Sequence, residues 1–192
     1  TLRHEDAILK QSQPESFSLY VSIPFCPTRC RYCSFVSQAV GSKRADVMLQ
    51  DYLPCLCREL EELSRIVRKH RLAVRMVYIG GGTPTTLDAG GLLTLLSAMQ
   101  RLFDLSLLDE YTVETGRADT ITLEKLELLR RFGVRRICIN PQTFDDGLLR
   151  RLNRSHTAAE VLQAYDWARQ VGFDTINMDL IAGLPGDSAA GF

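Results

Sequence analysis

Three cysteines stand close together in the stretch "IPFCPTRCRYCSF", residues 23–35, with the spacing C-x3-C-x2-C. They are Cys26, Cys30 and Cys33, and they lie in a segment that Pro24 and Pro27 keep from forming a helix. Thiolates are ligands for zinc and for iron–sulfur clusters, and a chance triple at this spacing is rare in a chain with 6 cysteines. The sequence therefore predicts metal chemistry at this loop.

The type of metal site can be narrowed from the number of thiolates. Structural zinc takes four ligands, generally from two C-x2-C pairs, but the chain has no second pair and His4 is distant in sequence. Catalytic zinc with three ligands and a water remains an alternative, although three thiolates from one loop would be unusual for it. A [4Fe–4S] cubane normally takes four thiolates, so three would leave one iron open to a small molecule.

Strands and helices alternate along the chain, which is typical of a parallel sheet built from right-handed βαβ units. Polar or glycine-rich motifs follow each predicted strand, and this favours a partial α/β barrel over the alternative of a doubly wound sheet. We take Pro54 as a helix start or a kink. The predicted strands are 19–25, 74–80, 110–116, 134–142 and 173–186, and the predicted helices are 45–70, 89–103, 122–133, 145–152 and 158–171.

The composition is that of an ordinary globular chain, with 45% hydrophobic and 24% charged residues. Lys plus Arg and Asp plus Glu number 23 each, so net charge gives no attraction to nucleic acid or to an anionic membrane. No apolar run approaches the roughly 20 residues of a membrane span, and the polar N-terminus resembles neither a signal nor a transit peptide. We expect a cytoplasmic protein, in which Cys55 and Cys57 are inert and Cys138 is a core residue.

The cysteine loop, followed one strand later by "GGGTP" at 80–84, resembles the radical S-adenosylmethionine (SAM) superfamily from Leu19 onward. The resemblance implies that Cys26, Cys30 and Cys33 hold a [4Fe–4S] cluster whose open iron binds the amino and carboxylate groups of SAM. One electron from the reduced cluster would cleave SAM to methionine and a 5′-deoxyadenosyl radical, which abstracts a hydrogen from the substrate. The implied fold is a partial (βα)6-type barrel with about five βα units.

We therefore expect a lead-in at 1–18 and a truncated radical SAM core domain at 19–192, in a natural protein that continues beyond this sequence. An open sheet edge after the fifth strand would otherwise be an aggregation liability.

Several further motifs are similar to the oxygen-independent coproporphyrinogen III oxidase group, including its dehydrogenase-like relatives. They are "LYVSIPFCPTRCRYCSF", "YIGGGTPT", "INPQTF", "LNRSHT" and "INMDLIAGLPG". The positions that this resemblance assigns to SAM binding are Tyr20, Tyr32, Gly81, Gly82, Thr83, Glu114, Gln142, Arg154 and Asp179.

Each assigned position also has a structural alternative. The glycines allow close backbone approach to a ligand, but glycines alone are more often a tight turn. Glu114 suits ribose hydroxyls or the methionine amine, or else is a solvated carboxylate at a strand end. Gln142 and Asp179 are polar residues in apolar strands, which need hydrogen-bond partners if they are buried. Arg154 suits a carboxylate of SAM or substrate, and its alternative is a surface arginine. His156 is expected to cap a loop.

The implied reaction is the oxidative decarboxylation of two propionate side chains of coproporphyrinogen III to vinyls, which gives protoporphyrinogen IX in haem biosynthesis. Such an oxidoreductase would take electrons from a donor such as flavodoxin or ferredoxin, and its substrate would be a tetrapyrrole. Phe35 occupies the position of a further cysteine in the oxidases. Haem-chaperone relatives also lack that cysteine and bind haem without the oxidase reaction. A haem-binding chaperone and a radical enzyme for another substrate are thus alternatives.

Overall fold

A five-stranded parallel sheet organises the protein, for which we obtained a computed structural model describing residues 14–35 and 37–189. The strand order is β1-β4-β5-β6-β7, so β1 and β7 are the edges of the described sheet. The strands are β1 Ser16–Ile23, β4 Ala73–Gly81, β5 Glu110–Gly116, β6 Arg136–Gln142 and β7 Thr175–Leu180. His4 and most of the expected lead-in lie outside the described residues.

A second, two-stranded parallel sheet stands beside the cysteine loop. It consists of β2 (Phe25–Cys26) and β3 (Gln38–Ala39), so Cys26 ends β2 while Cys30 and Cys33 lie between the two strands in sequence. The loop therefore begins at β2 and ends at β3, so regular structure fixes both of its ends.

In the part of the chain that the structure describes, five helices connect or follow the strands, and each begins at a side chain suited to capping. The N-cap residues Ser42, Asp88, Thr122, Asp145 and Thr157 each accept a hydrogen bond from a backbone N–H of the first turn. The helices are α1 Lys43–His70, α2 Ala89–Leu102, α3 Leu123–Arg131, α4 Asp146–Arg151 and α5 Ala158–Val171, with 3₁₀ turns at Pro84–Thr86 and Ala118–Thr120.

The core lies on one face of the sheet. Side chains of successive strand residues point to opposite faces, and one set is mostly apolar and buried. Helix residues complete this cluster, including Leu60, Leu96, Leu126 and Val161. The buried strand residues include Val77, Ile79, Val113, Ile137 and Ile139, each with 0% exposure.

The predicted α/β fold with a parallel sheet is confirmed, and every predicted strand and helix is present. The strand at 110–116 and the helix at 158–171 have the predicted bounds, and the other elements have shifted ends. The interpretation of Pro54 as a helix start is wrong, because Pro54 lies inside the 28-residue α1. Ser42 caps the first turn of that helix and so starts it well before the proline. Within the described residues, no helix is long and apolar enough to cross a bilayer.

Candidate functional site

The cysteine loop is closed at its base by backbone hydrogen bonds. The amide of Gln38 donates to the carbonyl of Pro24 at 2.8 Å, and the amide of Val40 donates to the carbonyl of Cys26 at 2.9 Å. These bonds tie the two ends of the loop together directly after β1. The cysteines therefore lie at the carboxyl edge of the sheet, where α/β barrels place their chemistry.

The far side of the loop is fastened to the turn between α4 and α5. The hydroxyl of Thr28 donates to the carbonyl of Asn153 at 2.7 Å, and the amide side chain of Asn153 donates to the carbonyl of Arg29 at 2.8 Å. The backbone amide of Arg31 donates to the carbonyl of Leu152 at 3.1 Å. Asn153 has a left-handed φ of 60°, a conformation that Asn adopts more readily than most residues. The loop is thus held at both its base and its tip.

Polar side chains contact two of the three sulfur atoms. The hydroxyl of Thr83 lies 3.6 Å from Sγ of Cys26. On Cys30, Nη1 of Arg154 lies 3.5 Å and Nη1 of Arg117 lies 3.9 Å from Sγ. Cys26, Cys30 and Cys33 are free thiols of intermediate exposure, so they are accessible to a ligand.

The chemistry of the donors fits an iron–sulfur cluster. Among residues 14–35 and 37–189, no set of three or more His, Cys, Asp or Glu side chains is arranged to hold a metal ion. A cubane differs from a single ion because each thiolate binds a different iron, so the sulfur atoms need not converge on one point. Three soft thiolates with guanidinium groups beside one of them fit an anionic iron–sulfur cluster.

A polar group on the open face of the sheet links β1, β4 and β5. The rings of Tyr20 and Tyr78 stack with their centroids 5.8 Å apart. The hydroxyl of Tyr78 donates to Oε1 of Glu114 at 2.5 Å. Gly80 leaves room for this group, since a Cβ there would lie 2.9 Å from Oε2 of Glu114 and 3.1 Å from the hydroxyl of Tyr20. Burial, followed by the negative charge of Glu114, raises the pKa of Tyr20; burial, followed by the hydrogen bond to Glu114, raises the pKa of Tyr78.

The next two glycines are required by contacts within the chain itself. Gly81 has φ +106°, and a Cβ there would lie 2.6 Å from Oγ of Ser22. A Cβ on Gly82 would lie 2.5 Å from the carbonyl oxygen of Phe25. The motif "GGG" therefore lets β4 approach β1 and the start of the cysteine loop closely, which is a structural requirement independent of any ligand.

Arg154 is buried, with 5% exposure, so the alternative that it is a surface arginine is wrong. Its Nη1 donates to the hydroxyl of Tyr32 at 2.9 Å, and its Nη2 donates to the carbonyl of Asn140 at 2.5 Å. Burial raises the pKa of Tyr32 to about 12, although the charge of Arg154 opposes the increase. Within the described residues, Nε of Arg154 and Oδ1 of Asn140 are buried without a hydrogen-bond partner. Orphaned polar atoms of this kind fit a polar ligand.

Two further positions assigned to SAM binding, Gln142 and Asp179, lie on the neighbouring strands β6 and β7. Gln142 has a left-handed φ of 70° at the end of β6, and its carbonyl accepts a hydrogen bond from Ile181 at 2.9 Å. Asp179 is exposed on the edge strand β7. The sequence predicts a hydrogen-bond partner only for a buried Asp179, and the exposed carboxylate does not meet that condition.

Cys138, Cys55 and His156 lie outside the set of residues assigned to the cluster and to SAM. Cys138 is buried with 7% exposure, as expected for a core residue, whereas Cys55 is exposed on α1. His156 is 2% exposed, and its Nδ1 is 3.7 Å from Oδ1 of Asp119, beyond hydrogen-bond distance. It does not contact the cysteines through any observed hydrogen bond within the described residues.

Sequence reasoning missed Tyr78 and Arg117. Tyr78 could have been found from strand alternation, which places it on the same face as Gly80 and opposite Ile79. Arg117 follows the end of β5 in "ETGRADT", and a charged residue at that edge of a parallel sheet was a signal for the site. Its contact with a cysteine 87 positions away could not be deduced from the pattern.

Comparison with known proteins identifies the family. The model of the Radical SAM superfamily matches residues 20–192. The chain belongs to the radical SAM superfamily. The cofactors of this domain are accordingly a [4Fe–4S] cluster and SAM, and the predicted partial barrel is confirmed.

Individual relatives of this radical SAM domain confirm the predicted resemblance within the superfamily. The chain is 40% identical over 179 residues to the oxygen-independent coproporphyrinogen-III oxidase-like protein HemZ of Bacillus subtilis, covering 93% of this chain and 35% of the relative. It is 36% identical over 172 residues to the heme chaperone HemW of the same organism, covering 89% of this chain and 44% of the relative.

A solved structure also supports the resemblance to the coproporphyrinogen III oxidase group. Coproporphyrinogen III oxidase (HemN) from Escherichia coli superposes with a TM-score of 0.78 at 26% identity, covering 97% of this chain and 42% of that one. The radical SAM domain thus spans less than half the length of these three relatives, whose names divide between oxidase and chaperone.

Proposed function

We propose that this chain is the radical SAM core of an enzyme that decarboxylates coproporphyrinogen III oxidatively to protoporphyrinogen IX without oxygen. The observation that carries the proposal is the anchored loop of Cys26, Cys30 and Cys33 beside a polar, ligand-accessible sheet face. The similarity to HemN supports the choice of substrate.

In this proposal the three cysteines hold the cluster, and the surrounding side chains bind and orient SAM. When bound, the cluster supplies an electron and SAM supplies the alkyl group from which a hydrogen-abstracting radical forms. The unpartnered Nε of Arg154 would donate to a carboxylate, and Glu114, oriented by Tyr78, would accept hydrogen bonds from hydroxyl or amine groups. The proposed SAM-binding set is Tyr20, Tyr32, Gly81, Gly82, Thr83, Glu114, Gln142, Arg154 and Asp179.

Two exposed aromatic residues support a tetrapyrrole as substrate. Phe35 in the cysteine loop is 67% exposed, and Phe144 after β6 is 42% exposed. Both follow carboxyl ends of strands, where they offer apolar surface to a flat macrocycle. A low-potential one-electron donor such as flavodoxin or ferredoxin would reduce the cluster in the cytoplasm. An electron acceptor would then take the electron that is left on the substrate when CO2 leaves and the vinyl group forms.

Phe35 also favours a second candidate function. It stands at the position where the resemblance to the oxidases implies an additional cysteine, and the chain is 36% identical to a heme chaperone. The second candidate is therefore a haem-binding and haem-transfer protein with the same cofactor site and no decarboxylation.

One paired assay separates the two functions. The full-length protein, reconstituted anaerobically, is supplied with dithionite, SAM and coproporphyrinogen III, and products are followed by chromatography, while haem binding is followed by its Soret band on the same preparation. We expect decarboxylation that is abolished in Cys33→Ala and retained in Cys55→Ala, a matched control on α1. Tight haem binding without CO2 release would instead identify the chaperone, and the absence of both would contradict the tetrapyrrole assignment.

A further inference from the structure

Arg117 is a buried cation beside one of the three cysteines. We propose that Arg117, held by Asp119, acts through Cys30 to set the reduction potential of the cluster. The inference rests on the proposed role of Cys30 as a cluster ligand and adds a residue outside the SAM-binding set. Arg117 is a positioning and tuning residue, since it contacts the sulfur ligand and not the reacting atoms.

The position of Arg117 is fixed by its contacts on every side. Its side chain is 3% exposed, and its Nε and Nη2 bond the two carboxylate oxygens of Asp119 at 3.1 and 3.0 Å. Nη1 donates to the hydroxyl of Thr28 at 2.6 Å and lies 3.9 Å from Sγ of Cys30. Nη2 also lies 3.4 Å from Oγ of Ser155. Because all of these partners belong to the chain, the guanidinium keeps its place whether or not a ligand is present.

Charge near the cysteines is distributed unevenly. Two guanidinium groups, those of Arg117 and Arg154, approach Cys30, whereas the observed side-chain contact to Cys26 is the neutral hydroxyl of Thr83. The carboxylate of Asp119 partly offsets the charge of Arg117, and its own side chain is 16% exposed. The field at Cys30 is therefore set by Arg154 together with the Arg117–Asp119 pair, and the pair contributes the part that a substitution of Arg117 or Asp119 changes.

The reduction potential of an iron–sulfur cluster depends on its net charge, on hydrogen bonds to its sulfurs and on its exposure to solvent. When one electron passes from dithionite to the cluster, the negative charge of the cluster increases by one. A nearby buried cation stabilises the reduced state more than the oxidised state, because burial weakens solvent screening. Removing the cation should make the potential more negative, and removing its carboxylate partner should make it more positive.

The test measures midpoint potentials of the cluster-loaded protein by dye-mediated redox titration followed by electron paramagnetic resonance. Iron and sulfide contents are determined first. Loss of the cluster in Cys30→Ala would confirm that Cys30 is a ligand, so a wrong ligand assignment can be distinguished from a wrong role for Arg117. We expect Arg117→Gln to lower the reduced-to-oxidised ratio at a fixed potential about tenfold, which for a one-electron couple is ~59 mV. Asp119→Asn should shift the potential in the opposite direction, and Arg117→Lys should shift it less than Arg117→Gln.

A matched control is the exposed Arg75–Asp109 pair, which has the same bidentate geometry at the amino end of β4. Arg75→Gln should leave the potential unchanged. An unshifted potential in loaded Arg117→Gln, or shifts of the same sign in Arg117→Gln and Asp119→Asn, would overturn the inference in favour of a purely structural role. If Arg117→Gln does not retain a cluster, the sign of the shift in Asp119→Asn decides.

Discussion

Tyr78 and Ile79 are neighbours in β4, but they face opposite sides of the sheet. Ile79 is fully buried among apolar strand and helix side chains. Tyr78 faces the open side, where it stacks on Tyr20 and donates a hydrogen bond to Glu114. The same contrast holds in β5, where Val113 is buried and Glu114 belongs to the polar group. Alternation along each strand thus separates the residues that stabilise the fold from those available for chemistry.

The largest effect should follow from a substitution on the helix-packed face. Ile79→Ala removes buried methyl groups and leaves a cavity, so we expect a loss of about 2–5 kcal/mol in the free energy of unfolding. Urea denaturation under anaerobic conditions measures this loss. A variant with unchanged stability would show that this face is not the main source of stability.

Tyr78→Phe tests the opposite face at the adjacent position. It removes only the hydroxyl that orients Glu114, so we expect about tenfold weaker SAM binding, the effect of losing a hydrogen bond to a charged group. Equilibrium dialysis with SAM measures the affinity, and the absorbance of the cluster should remain unchanged. Comparison with Glu114→Ala is informative because Tyr78→Phe should have no further effect once the carboxylate is absent. Additive effects in the double variant would contradict an action through Glu114.

The smallest expected effect is on the pH dependence of stability, and it concerns the carboxylate of Asp119 at the carboxyl edge of the sheet. Burial alone would raise the pKa of Asp119, but His156 and Arg117 outweigh it and lower the pKa below its ordinary value of 3.8. A lowered carboxylate pKa stabilises the fold above the ordinary pKa, and this contribution is lost as the pH falls through the folded-state pKa. The stability difference between wild type and Asp119→Asn should therefore be greatest near neutral pH and should decrease below pH 3.8. Thermal denaturation over a pH series measures it, and a difference independent of pH would refute the ionic contribution.

The sequence was sufficient for the sheet and for the cysteine loop because both depend on short-range patterns. The alternation of strands and helices along the chain and the close spacing of the cysteines are both local features. The contact of Arg117 with Cys30 depends on side-chain positions across 87 residues, which no periodicity encodes. Local pattern therefore predicted the elements, and tertiary packing determined the electrostatics of the site.

The attachment of the cysteine loop to Leu152 and Asn153 has a consequence for the order of events during synthesis. Thr28 and Arg29 bond to residues that are translated more than 120 positions later. On the ribosome the thiols emerge before the turn that fixes their loop has been synthesised. Closing so long a stretch of chain costs entropy that is recovered only when the intervening strands have paired. The cluster site is thus completed late in folding, and until then the nascent chain carries three unprotected thiols.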